Sequence, residues 1–148
     1  MSWQSYELDR IAQKLVLAAR KRDPKSLNQS HKMRMAVPYG LERFWGEHLR
    51  LKGKKLEDEN KSKFWKDTWD ALTKVMDKAG VIIPNDPISP DSKGNIPTGE
   101  IQDMSEKMWQ LTIEDQRVAI AVLTQLCDCI VWWTQRYKTG RQADDTDS

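Results

Sequence analysis

Few residues in this chain have the types and spacing that chemistry needs. Across 148 residues there are two histidines, His31 and His48, and two cysteines, Cys127 and Cys129. A zinc site needs three or four ligands at close, regular spacing, and these four residues show none, because the histidines lie on other predicted helices far from the cysteines. Cys127 as a nucleophile would need a base beside it; it stands in an apolar run, where a small core residue is the simpler reading. Cys127 and Cys129 are two apart on one helix, point to different sides and do not bridge each other. With no third cysteine, a disulfide scaffold is excluded and a reducing, cytoplasmic location is expected. Asp128 interrupts the same apolar run. It is read as pairing with a Lys or Arg of a neighbouring helix, or as lying on a wet or partner-facing edge. A catalytic acid would want a second acid or base at fixed spacing. His48, beside Phe44, Trp45 and Leu49, reads as a half-core residue. There is no GxGxxG, no phosphate-binding Gly-rich loop and no GxSxG. The expectation is a protein that is not an enzyme, with no metal and no cofactor.

Positive charge is the remaining chemistry. Arg20, Lys21, Arg22, Lys25, Lys32, Arg34, Arg43, Arg50, Lys52, Lys54 and Lys55 crowd the first third of the chain. The net charge of +2 hides a division: residues 1–55 hold 13 Lys/Arg against 5 Asp/Glu, net +8, and residues 56–148 hold 11 against 17, net −6. Such a set is either a solvated face or a surface that neutralises phosphates without reading bases. Nothing has the pattern of a recognition helix, RNA-binding strands or a zinc finger. Nucleic-acid binding should therefore be sequence-tolerant and salt-sensitive.

The elements that position these groups read as helices throughout. The densest apolar stretch, TIEDQRVAIAVLTQLCDCIVWWTQRYK, spans Thr112 to Lys138. Thr112 serves as N-cap, Glu114 and Asp115 fill the first turn, Arg136 and Lys138 the last, and Gly140 follows as a stop. One helix of about 39 Å results. Its stripe is Val118, Val122, Leu126, Ile130, Trp133 and Tyr137, widened by Ala119, Ile120 and Leu123, and it should be buried on several sides. Arg117 and Asp128 break it below the ~20 uncharged residues that a bilayer needs, so no membrane partner is expected. Ahead of it come helices over Trp3–Arg22, capped by Ser2, over Ser26–Ala36, Leu41–Leu51, Leu56–Ala79 and Asp103–Leu111. On the first, Leu8, Ile11, Leu15 and Ala18 form the apolar face, broadened by Ala12, Val16 and Ala19. Residues 81–102, with four prolines and two glycines, form a long connection of the kind that is functional or partly mobile. The polar N-terminus shows no signal peptide, and residues 142–148 make an acidic tail expected to be disordered. The fold class is all-α: a single-domain bundle over residues 1–141, with about five helices around a long C-terminal one. Most tryptophans fall at core positions. Trp132 and Trp133, 100° apart on one helix, cannot both face inward, and one of them (or Trp3) is a candidate partner interface.

The final helix, LTIEDQRVAIAVLTQLCDCIVWWTQRYK, with its aromatic-basic end and the basic helices before it, resembles the all-helical small subunits of CRISPR RNA-guided effector complexes (Cascade, Csm and Cmr). In style it is nearest the type I-D small subunit, which is made by internal translation from the large subunit's gene. The resemblance implies a non-catalytic subunit. Several copies in a row would contact the crRNA–target duplex or the displaced DNA strand through basic side chains, stabilise the R-loop and meet other subunits of the ribonucleoprotein. A +8 segment of one copy facing a −6 segment of the next fits such a row. A small helical interaction adaptor, including a phage-encoded inhibitor, and a free-standing nucleic-acid-binding protein are the other readings.

Overall fold

A computed structural model describes residues 5–52, 55–88, 90 and 92–138. Among them are six α-helices and no strand: α1 (Ser5–Arg22), α2 (Gln29–Ala36), α3 (Leu41–Leu51), α4 (Leu56–Lys78), α5 (Thr98–Trp109) and α6 (Ile113–Tyr137). The all-α bundle is thus the fold. The expected cap Ser2, the stop Gly140 and the acidic tail lie outside the described residues, as do Trp3 and Lys54.

α6 starts where its cap residue stands: the Thr112 side chain accepts from the Asp115 backbone N–H at 3.0 Å. Helix α1 ends at Asp23-Pro24, where a proline cannot continue the hydrogen-bond ladder. The chain from Pro24 to Asn28 then makes a 3₁₀ turn, so the helix expected from Ser26 begins only at Gln29. Asp23 accepts from the Lys25 N–H at 3.0 Å, and Ser26 Oγ donates to the Asp23 carbonyl at 2.8 Å; these local bonds compete with a helical ladder. α5 begins at Thr98, earlier than the expected Asp103. Pro97 closes the extended segment, and Ile101, Met104 and Met108 already stack at helical spacing, with both methionines buried.

α4 packs against α1, α2, α3 and α6, and α6 packs against α1, α2 and α4. The aromatic centre sits between α3 and α4. Phe44 lies 4.9 Å from Trp65 and 6.4 Å from Trp69, centroid to centroid, and all three are buried. Two apolar faces are rotated from their expected positions. On α1 the buried residues are Leu8, Ala12, Val16 and Ala19, while Ile11 and Leu15 are half-buried and Ala18 is exposed; the small Ala12 and Ala19 leave room for a neighbouring helix. On α6 the buried set is Ala119, Val122, Leu123, Leu126, Cys127, Ile130 and Thr134. Thr134, not Trp133, faces inward because its hydroxyl meets that of Ser30 on α2 at 2.5 Å, which satisfies both buried groups. The opposite face of α6 is open: Ala121, Gln125, Asp128 and Trp132 are exposed. By length and apolar composition alone α6 could cross a bilayer, yet one face of it, from Ala119 to Thr134, is packed inside the bundle.

The proline-rich connection is pinned to α4. Ile83 and Ile88 are buried, Trp69 Nε1 donates to the Pro84 carbonyl at 3.2 Å, and Asn85 Nδ2 donates to Asp70 at 2.9 Å. Lys107 of α5 pairs with Asp86.

Candidate nucleic-acid interface

The corner between α1 and α2 gathers the first group of cations, and the fold sorts them. Arg22 turns back onto α4, pairing with Asp67 and donating to the Asn60 carbonyl. Arg20 is half-buried, with its Nε enclosed and unpartnered. Lys21 and Lys25 point outward. On α2, Arg34 Nε donates to Asp128 of α6 at 2.7 Å, one of the two outcomes foreseen for that aspartate. On α3, Arg50 pairs with Glu47 at 2.9 Å, one turn earlier. Lys52 is half-buried at the end of α3, and Lys55 is exposed at the start of α4.

The ten described cations of this set fall into different surroundings. Arg22, Arg34 and Arg50 are each neutralised by a local carboxylate. Lys21, Lys25, Lys32, Arg43 and Lys55 are exposed and make no ion pair among the described residues. Two of these share a single groove. It has a volume of about 350 Å3, with Lys32, Met35, Ala36 and Tyr39 on one wall, Arg43 and Glu47 on the other, and Trp65 at its floor. Trp65 is fixed there by its Nε1, which donates to Gln29 Oε1 at 2.9 Å. Lys52 lies at the far end of α3, about 13 Å along the helix from Arg43.

Tyr39 and Met35 are the residues that sequence reasoning passed over. Tyr39 is 68% exposed and Met35 71%. Their signal was the spacing of Lys32, Met35, Ala36 and Tyr39 (i, i+3, i+4, i+7), which places a cation, a thioether and a ring on one side. The turn itself hid it. Val37 is buried and Gly40 has φ 108°, a backbone that other residues rarely adopt. A Cβ on Gly40 would meet the Glu42 carboxylate at 2.9 Å.

The second candidate region is the end of α6. Trp132 is 46% exposed, meets Trp133 edge-on at 4.7 Å, and carries the Arg136 guanidinium 4.3 Å above its ring. Trp133 stacks on Tyr137 at 5.9 Å, and the Tyr137 hydroxyl accepts from Gln13 of α1 at 2.9 Å. Asp9, Asp128, Cys129 and the two tryptophans line a cleft of about 360 Å3.

The nucleophile and base candidates are disarmed by their surroundings. Burial pushes the Cys127 thiol well above its ordinary range. Burial, with the Asp9 carboxylate beside it, pushes Cys129 up to about 12; at neutral pH neither supplies a thiolate. His48 is buried with its Nδ1–H on the Trp45 carbonyl, and burial lowers its pKa below the ordinary 6.5. Among the described residues no three His, Cys, Asp or Glu side chains converge as a metal site would need. Comparisons with protein-family models, curated proteins and solved structures find no match to this chain.

Proposed function

We propose that this chain is a non-catalytic small subunit of a CRISPR RNA-guided effector complex, binding nucleic-acid backbone without sequence specificity to stabilise the guide RNA–target hybrid or the displaced strand. The observation that carries the reading is the pair Lys32 and Arg43, exposed on facing walls of one groove with no carboxylate of their own. Arg50 pairs with Glu47 and so offsets the one acid in that groove. Lys21 and Lys25, exposed at the α1–α2 corner, supply further unpaired charge. Such groups hold phosphates by charge and release counterions. On this reading the partners are the other subunits of the ribonucleoprotein, further copies of the chain in a row, and the nucleic acid.

The competing reading, a protein-interaction adaptor, is favoured by one observation: the exposed Trp132 with its acidic cleft at the end of α6. Affinity purification from the native source separates the two. The proposal expects guide RNA and larger protein subunits to copurify, the RNA leaving as salt rises. Recovery of protein partners alone, abolished by Trp132→Ala and unchanged by Lys32→Ala with Arg43→Ala, would establish the adaptor instead.

A further inference from the structure

We infer that the α2–α3 groove takes a single strand, with one unpaired base laid on the ring of Tyr39 and the phosphates beside it on Lys32 and Arg43. The inference rests on the nucleic-acid reading above and narrows its ligand. Phosphate capture alone needs only cations, yet this groove also presents two large apolar surfaces to solvent. Tyr39 is 68% exposed and Met35 71%, and they project from the same side of the α2 segment as Lys32. Both lie outside the core although the chain on either side is well packed: Met33, Val37 and Leu41 are all buried.

The turn presents this ring by construction. Val37 anchors it from below, Pro38 limits its backbone, and the Gly40 N–H closes it onto the Val37 carbonyl at 3.1 Å. Tyr39 is thereby held at the mouth of the groove, opposite Arg43 on α3. In a duplex the bases stack on one another and the outer surface offers phosphate and sugar. A duplex would use Lys32 and Arg43 and leave the ring idle. An unpaired strand offers base faces, and an aromatic ring flanked by cations is how sequence-tolerant proteins hold one. Glu47 does not oppose it, because Arg50 pairs with that carboxylate.

The test uses the full chain with a labelled homopolymeric strand of about 16 nucleotides, the same strand built of abasic units, and a duplex of equal length. Tyr39→Ala should weaken the natural strand about tenfold and leave the duplex unchanged. Tyr39→Phe, which keeps the ring, should bind as the parent does. The abasic strand should bind the parent no better than the natural strand binds Tyr39→Ala. A strand carrying 5-iodouracil should photocrosslink to Tyr39 of the unmodified protein, a measurement that needs no variant. If Tyr39→Ala binds the strand normally and no crosslink maps to the ring, the inference is overturned, while weakening by Lys32→Ala with Arg43→Ala would leave the backbone-binding reading standing. If the parent binds neither strand nor duplex at low salt, both fall together.

Discussion

Helices α4 and α6 are close in length, 23 and 25 residues, and each carries two tryptophans in apolar surroundings. Trp65 and Trp69 of α4 are almost fully buried; Trp132 of α6 is 46% exposed and Trp133 half-buried. By sequence α6 is the more apolar helix, apolar enough to pass for a membrane span. Yet α4 is enclosed on more sides, by α1, α2, α3, α6 and the pinned connection with Ile83 and Ile88. A helix's own composition sets how much it can bury, and its neighbours set how much it does. What is left uncovered at the end of α6 is then available to a partner.

The sharpest way to break this contrast is to truncate matched residues. Trp69→Ala should cost about 3–5 kcal/mol of stability in urea unfolding, since the ring is wholly enclosed and holds the connection through its Nε1. Thr134→Val should cost about 1–3 kcal/mol, because the buried Ser30 hydroxyl loses its partner while volume is kept. A smaller effect depends on pH. His48 has a folded-state pKa below 6.5, so the unfolded chain binds the proton more readily. Its contribution to stability is complete above about pH 6.5 and declines as pH falls toward the folded value, by at most about 1.4 kcal/mol per unit. Urea midpoints at pH 7.5 and 5.5, for the parent and His48→Asn, should show the steeper decline in the parent. The smallest effect belongs to Trp132→Ala, expected within about 0.5 kcal/mol of the parent. If it matched Trp69→Ala, the distinction between the two helices would disappear.

Helix existence and most boundaries were legible in the chain, because they rest on local chemistry: Thr112 caps, Asp23-Pro24 stops, and Leu41–Leu51 runs without a break. Which side each helix buries was less so. On α1 and α6 apolar residues cover more than one face, and the choice among them fell to contacts such as Ser30 with Thr134, 104 residues apart. The candidate site was visible as a set of cations but not as a shape. Arg22 and Arg34 are neutralised by Asp67 and Asp128, 45 and 94 residues away, pairings that no local pattern encodes. Asp128 itself announced a partner by interrupting an apolar run. Tyr39 gave no such sign, because a tyrosine beside proline and glycine reads as part of a turn.

The nucleic-acid reading requires that the unpaired cations, and not the paired ones, meet the phosphate backbone. Its most direct test is the slope of log affinity against log salt for one labelled strand. The parent is compared with a variant lacking Lys21, Lys25, Lys32 and Arg43 and with another lacking Arg22 and Arg34, whose carboxylate partners lie outside the groove, each group changed to Ala and checked for folding. Removing these four of the five unpaired cations should flatten the slope by about 1 for each phosphate no longer neutralised, while removing the paired two leaves it nearly as it was. Equal slopes for the parent and the first variant, or a flattening confined to the second, would contradict the claim.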